Sequence, residues 1–190
     1  MAATRRQVLG SMLAAGAGAA QAPPTVTRYV RFERNGAASY GLVEGDSVRP
    51  ISGSLFGRHK PNGTKVRLSS VKLLAPCEPP KILAVGLNYR SHIGNRPAPT
   101  RPEIFYKPIS SLQRPDGEIV IPKDANNVHY EGELVIVIGR TVRQASREQA
   151  IEAIFGVTCG NDVSERDWQN GADKDLQWWR AKGADTFSCL

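Results

Sequence analysis

Cysteine is scarce: Cys77, Cys159 and Cys189 are the three in 190 residues. Their odd count and long, irregular spacing make neither a CxxC pair nor a disulfide framework, so they read as structural thiols and no chemistry is assigned to them. Zinc-finger spacing and RNA-recognition signatures are missing too. The formal net charge of +7 therefore has no nucleic-acid motif behind it. Its basic residues are dispersed, which suits a solvated surface or an anionic small substrate. No stable membrane span is expected, because the apolar run Gly10 to Ala20 is short and broken by glycine. No internal repeat or low-complexity segment follows it. What is present, 41% hydrophobic and 23% charged residues, points away from disorder and is the composition of a soluble globular protein. The length allows one domain with a core, or a small domain plus part of a larger one.

The N-terminus has the parts of an export signal: Thr4-Arg5-Arg6-Gln7-Val8-Leu9, a modest apolar run, and small residues near Ala20-Gln21-Ala22. Its paired arginines resemble a twin-arginine signal, so export to the periplasm is expected, with a cytoplasmic enzyme bearing an N-terminal extension as the alternative. Cleavage after Ala22 would leave Pro23 at the new terminus, so cleavage after Ala19 or Ala20 is as plausible.

The chain divides into a signal and linker (1–24), a small N-terminal β domain (25–75) and a larger β-rich domain (76–190). Strands are predicted at Arg28 to Phe32, Ser39 to Val43 and Ser47 to Ile51, with turns at Asn35-Gly36-Ala37-Ala38 and Glu44-Gly45-Asp46. Ser52 to Thr64, polar and rich in glycine, reads as a surface connection. The run Lys81 to Gly86 is a continuous apolar strand of the kind buried on both faces. Helical signals are few. The best is Ser146 to Ile154, opened by a capping box with Gln149 reaching back, given an apolar face by Ala150, Ile151, Ala153 and Ile154, and ended by Gly156.

Chemistry concentrates in Tyr130-Glu131-Gly132-Glu133 and the aliphatic run Leu134 to Ile138. On a strand, Glu131 and Glu133 share a face with Val135 and Val137. Two carboxylates entering a buried face repel each other and lose hydration unless a cation or protons compensate. The aliphatic tail reads as covered on both faces. A second apolar strand, Phe155 to Cys159, leads to Asp162 at its end, ahead of a short helical turn capped by Ser164. Three carboxylates make an oxygen-only set, which favours Mg²⁺, Mn²⁺ or Ca²⁺ over zinc. The competing reading starts the strand at Leu134 and leaves both glutamates in a solvated turn.

Six ordered blocks then carry a resemblance. They are Pro79-Pro80-Lys81-Ile82, Val85 through His92 (VGLNYRSH), Ile104-Phe105-Tyr106-Lys107-Pro108, Tyr130 through Leu134 (YEGEL), Asn161 through Asp167 (NDVSERD), and Lys182 through Phe187 (KGADTF). In these the chain resembles the fumarylacetoacetate hydrolase family. The resemblance implies an α+β, β-rich fold, a mixed β-roll with peripheral helices, and usually a homodimer. It implies a divalent metal, Mg²⁺ or Mn²⁺ with Ca²⁺ behind them, at Glu131, Glu133 and Asp162. It implies a small anionic 2-oxo acid or diketo substrate that is hydrolysed, decarboxylated, hydrated or isomerised through a metal-stabilised enolate. Lys182 matches the family's active-site lysine, and Arg166 and Gln169 match substrate-holding residues. The bland alternatives are a surface ion pair of Arg166 with Glu165 or Asp167, and a solvated Lys182.

Three positions depart from the family pattern. Ser91 stands where animal hydrolases have a fourth metal-binding aspartate, so three protein carboxylates are expected. His92 matches an acid–base histidine, but its glutamate partner is replaced by Asn95, which cannot act as a base. The chain ends at Leu190, mid-motif, so the roll is expected to be incomplete, with C-terminal strands missing or supplied by a partner. A metal-dependent enzyme is thus the leading reading. A catalytically inactive fragment that keeps the metal-site residues comes second, and a basic nucleic-acid module third.

Overall fold

The structure is a computed structural model and describes residues 26–190. The expected leader and its cleavage site lie outside the described residues. Among the described residues, no helix is long and apolar enough to cross a membrane.

The first unit is a sheet built from local hairpins. Strands β1 (Tyr29–Arg34), β2 (Ala37–Glu44) and β3 (Ser47–Gly53) form its centre, joined by β4 (His59–Pro61), β5 (Val66–Arg67) and β6 (Lys72–Leu73). Their order is β4-β3-β2-β1-β6, with β5 also on β3. Asn35 and Gly36 both take positive φ (52° and 77°) and set Arg34 opposite Ala37. Such a two-residue turn matches the twist of the strands it joins. Phe32 and Val48 fill the core of this unit. The expected surface connection from Ser52 to Thr64 instead contributes β4, paired with β3 from Ile51–Pro61 to Gly53–His59. The His59 ring explains this: Nε2 meets the Tyr29 hydroxyl at 3.0 Å, and Nδ1 lies 3.2 Å from the Ser54 and Gly57 carbonyls.

The second unit carries the site. It comprises β7 (Ile82–Gly86), α1 (Arg90–Ile93), β8 (Glu103–Lys107), β9 (Leu112–Gln113), β10 (Val128–His129) and β11 (Gly132–Ile138). There follow α2 (Arg147–Glu152), β12 (Ile154–Asp162), β13 (Ser164–Glu165), α3 (Arg166–Asn170), α4 (Trp179–Lys182) and β14 (Ser188–Cys189). Strand order in the main sheet is β11-β12-β14-β9, while β7 pairs with β8 and β10 with β13. The fold is α+β and strand-rich, with short helices.

The capping box of α2 is present in both directions, Ser146 to Gln149 and back. The helix ends at Glu152 with Ala153 as its C-terminal cap, not at Gly156, and Ile154 already opens β12. Ile154 therefore belongs to the strand and not to a helix face. Ser164 is likewise a strand residue. The turn after it, α3, is capped by Glu165, whose carboxylate accepts the Trp168 N–H at 2.6 Å.

Neither apolar strand is covered on both faces. Leu83 and Val85 lie opposite Tyr106 and Ile104, and all four are exposed. Leu134, Ile136, Ile138 and Val157 are exposed in the same way. Directly opposed residues of an antiparallel pair share a face, and no described element packs on these two.

Candidate functional site

Three local decisions bring the acidic residues together. Strand β11 begins at Gly132, so Glu133 lies on the half-buried face with Val135 and Val137, not in a solvated turn. Glu131 sits just before β11, its N–H held by Asn161 Oδ1 at 2.9 Å. Asp162 ends β12 and donates its own N–H to the Glu131 carbonyl at 2.9 Å. All three line one cavity of about 420 Å³ with Arg166, Gln169 and Lys182, and with Tyr89 and His92.

Lys182 is the centre of the arrangement. Its side chain is 4% exposed, which rules out a solvated lysine. Nζ donates to Glu131 Oε2 at 2.5 Å and to Asp162 Oδ2 at 2.7 Å. Each carboxylate has a second cation on its other oxygen. Arg166 Nη2 donates to Glu131 Oε1 at 2.5 Å, and the Lys107 ammonium bonds Asp162 Oδ1. The Ser164 hydroxyl also reaches Glu131 Oε2 at 3.3 Å. Burial alone would raise the Glu131 carboxyl, but hydrogen bonds and attraction from Lys182 and Arg166 win and hold it at about 2. For Lys107, burial is the largest effect and lowers its pKa against the opposing pull of Asp162.

Glu131, Glu133 and Asp162 share this cavity without closing on a single point, and among the described residues no three His, Cys, Asp or Glu side chains are gathered as a ready-made ion site. Glu131 and Asp162 converge on the Lys182 ammonium, while Glu133 Oε2 accepts the Tyr89 hydroxyl at 2.9 Å. That bond raises the Tyr89 phenol above its ordinary pKa. The donor set still fits a hard cation. Three carboxylates line one cavity, and two of them already meet at a single positively charged atom.

Arg166 forms no ion pair with Glu165 or Asp167. Glu165 is fully buried and accepts the N–H groups of Asn126 (3.3 Å), Asn127 (2.8 Å) and Trp168 (2.6 Å). Asp167 accepts from Asn127 Nδ2 at 2.7 Å. Arg166 Nη1 instead donates to Gln169 Oε1 at 2.6 Å, so both expected substrate holders are braced together at the cavity wall. His92 lies edge-on to Tyr89, with ring centroids 5.8 Å apart. Ser91 and Asn95 are both exposed.

Sequence reasoning missed Lys107, Tyr89 as the Glu133 partner, and Trp178. Trp178 adopts a left-handed backbone (φ 57°), and its carbonyl accepts the Lys182 N–H at 2.9 Å. Its indole packs edge-on to Phe105, above which the Lys182 ammonium sits 5.3 Å from the ring centroid. A Cβ on Gly86 would come within 2.6 Å of that indole, so glycine is what lets the two approach. Gly86 and Phe105 belong to the VGLNYRSH and IFYKP blocks, whereas Trp178 lies outside all six, and only the fold shows its role.

Fold and site together define an α+β protein with a cavity lined by paired acidic and basic side chains. The chain belongs to the fumarylacetoacetate hydrolase family: the profile described as fumarylacetoacetate (FAA) hydrolase C-terminal matches residues 81–190. A second profile, Rv2993c-like, N-terminal, matches residues 27–76. Protein Rv2993c of Mycobacterium tuberculosis is 45% identical over 144 residues, 74% of this chain and 53% of that protein. A 2,4-didehydro-3-deoxy-L-rhamnonate hydrolase of a Sphingomonas species is 35% identical over 179 residues, 84% of this chain and 60% of that protein. Among solved structures, 2-hydroxyhepta-2,4-diene-1,7-dioate isomerase from Mycobacterium marinum superposes with a TM-score of 0.76 at 37% identity, covering 86% of this chain and 64% of that one. The chain thus spans 53% and 60% of the length of these two relatives.

Proposed function

We propose that this chain carries the cation-holding part of an enzyme site for a small anionic 2-oxo acid or 1,3-dicarbonyl compound. The reaction class is C–C hydrolysis, decarboxylation, hydration or isomerisation. The observation that carries this reading is the convergence of Glu131 and Asp162 on one cationic atom inside the cavity. Relatives named as a hydrolase and as an isomerase support it. Glu131, Glu133 and Asp162 would hold Mg²⁺ or Mn²⁺, with Ca²⁺ third, since all the donors are oxygen. A cation there supplies Lewis-acid polarisation of a substrate oxygen.

The chain's own residues do the rest. Lys182 keeps a buried positive charge beside the carboxylates, where a keto oxygen gaining negative charge would be stabilised. Arg166, braced by Gln169, faces the cavity and suits a substrate carboxylate. His92 lines the same cavity and would move a proton alone or through water.

Chelator treatment is expected to lower the melting temperature and abolish 2-oxo acid turnover, with Mn²⁺ or Mg²⁺ restoring both. Equal turnover without any divalent cation would overturn the reading. A second reading, favoured by the open apolar faces of β7–β8 and β11–β12, is that these 190 residues bind the cation without turnover. Mn²⁺ binding by an inactive chain would support it. For the whole protein we propose a homodimer and export through the N-terminal leader. Light scattering at dimer mass, and a mature N-terminus beginning near Ala20 on protein recovered from cells, are the expected results. An intact Met1 end would sink export.

A further inference from the structure

Lys107 ends β8, and its ammonium stands behind the cavity, not in it. Its side chain is 3% exposed and is not among the groups that line the cavity. Pairing of Lys107 with Ile82 fixes its backbone in the β7–β8 ribbon. The two carboxylates at the centre are divided in the same way. Glu131 gives Oε2 to Lys182 and Oε1 to Arg166, and Asp162 gives Oδ2 to Lys182 and Oδ1 to Lys107. Each therefore turns one oxygen to the shared cationic position and has the other held by a separate cation. The two outer cations are not equivalent. Arg166 is 25% exposed and lines the cavity, so it can leave Glu131 for a substrate. Lys107 has no such exit.

A permanently buried ammonium gives up its hydration, and an apolar residue at the end of β8 would avoid that loss. Its one evident return is electrostatic. It cancels a carboxylate charge from the protein side and repels any second cation on the same carboxylate. We propose that Lys107 is a positioning residue that sets the charge of the carboxylate site from behind, so that a divalent cation is held at moderate strength and Lys182 is left to face the substrate. This rests on the reading of Glu131, Glu133 and Asp162 as a divalent-cation site.

The test is Mn²⁺ titration of the full 190-residue chain by calorimetry and by electron paramagnetic resonance. Lys107→Met is expected to bind Mn²⁺ roughly tenfold or more tightly than the wild type, the scale on which outer partners shift metal affinity. Its melting temperature in chelator should fall, and the rise on adding Mn²⁺ should be larger than in the wild type. Lys107→Arg, which keeps the charge, should bind like the wild type. A merely structural lysine would give the opposite sign, because losing it would loosen Asp162 and weaken binding. Equal or weaker Mn²⁺ binding by Lys107→Met, with a wild type that binds, overturns the role of Lys107 alone. A wild type that binds no Mn²⁺ overturns the cation site and this role with it. Should Lys107→Met fail to fold, Lys107→Gln removes the charge while keeping a donor toward Asp162, and the same tightening is expected of it.

Discussion

Glu131→Ala is expected to destabilise the metal-free protein by about 3–5 kcal/mol, the cost of breaking a buried ion pair from one side. Glu131 is 11% exposed and accepts hydrogen bonds from Lys182, Arg166 and Ser164. Removing it leaves Lys182, itself almost wholly buried, with Asp162 alone, and frees Arg166 from its strongest partner. Glu131→Gln keeps the shape and one acceptor but not the charge, so an intermediate loss is expected. Urea unfolding in chelator gives the measurement, and an alanine variant within about 1 kcal/mol of the wild type would mean that the pair does not hold the fold.

The same residue sets a pH window. Its folded value of about 2 lies below the ordinary 4.5. A carboxylate lowered in this way stabilises the native state above its unfolded value and loses that contribution as pH falls through the folded one. The metal-free wild type should therefore weaken progressively from about pH 5 toward pH 2. Glu131→Ala should show a flatter profile there, because it has no such carboxylate to protonate.

How much of this could be read from the sequence depends on how far each partner lies along the chain. The same-face placement of Glu133, Val135 and Val137 follows from strand alternation, which is local, as is the capping box at Ser146 and Gln149. Tyr89 and Glu133 are 44 residues apart, and Lys107 and Asp162 are 55 apart. No local period links such pairs. Lys107 closes an apolar strand just before Pro108, where a lysine reads as a snorkelling surface residue. Only the pairing of β7 with β8 and the docking of β12 turn it inward. The apolar runs failed differently. Leu83, Val85, Leu134 and Ile136 have the composition of strands buried on both faces, yet composition reports what a face is suited to meet and not whether a neighbour is present. Trp178 was the least legible, since a bulky residue with positive φ has no sequence signal and persists only where packing against Phe105 and Gly86 over-determines it.

Lys182→Ala should separate catalysis from cation binding more sharply than any other substitution. In the metal-free protein the ammonium is the positive charge between Glu131 and Asp162, so its loss should destabilise the fold by several kcal/mol, because the two carboxylates lose the cation they share and keep only Arg166 and Lys107 on their outer oxygens. Added Mn²⁺ should recover most of that stability, because a divalent cation can neutralise the same oxygens. It should not recover rate. A buried donor aimed at developing negative charge contributes roughly 10²-fold or more to turnover, and an ion on the carboxylates does not replace it. Measured on a protein that turns over a 2-oxo acid, kcat should therefore fall by that factor with Mn²⁺ saturating, while Mn²⁺ affinity stays equal or rises as a competing cation is removed. Lys182→Arg would keep the charge but spread it over a planar fork that cannot place one atom between Oε2 and Oδ2, so partial stability with little rate is expected of it. If Lys182→Ala kept full kcat with Mn²⁺ bound, Lys182 would be a neutralising counter-charge for the carboxylates and nothing more, and the stabilisation of the developing oxyanion would have to come from the cation itself or from Arg166 and Arg96, the other cationic side chains that line the cavity.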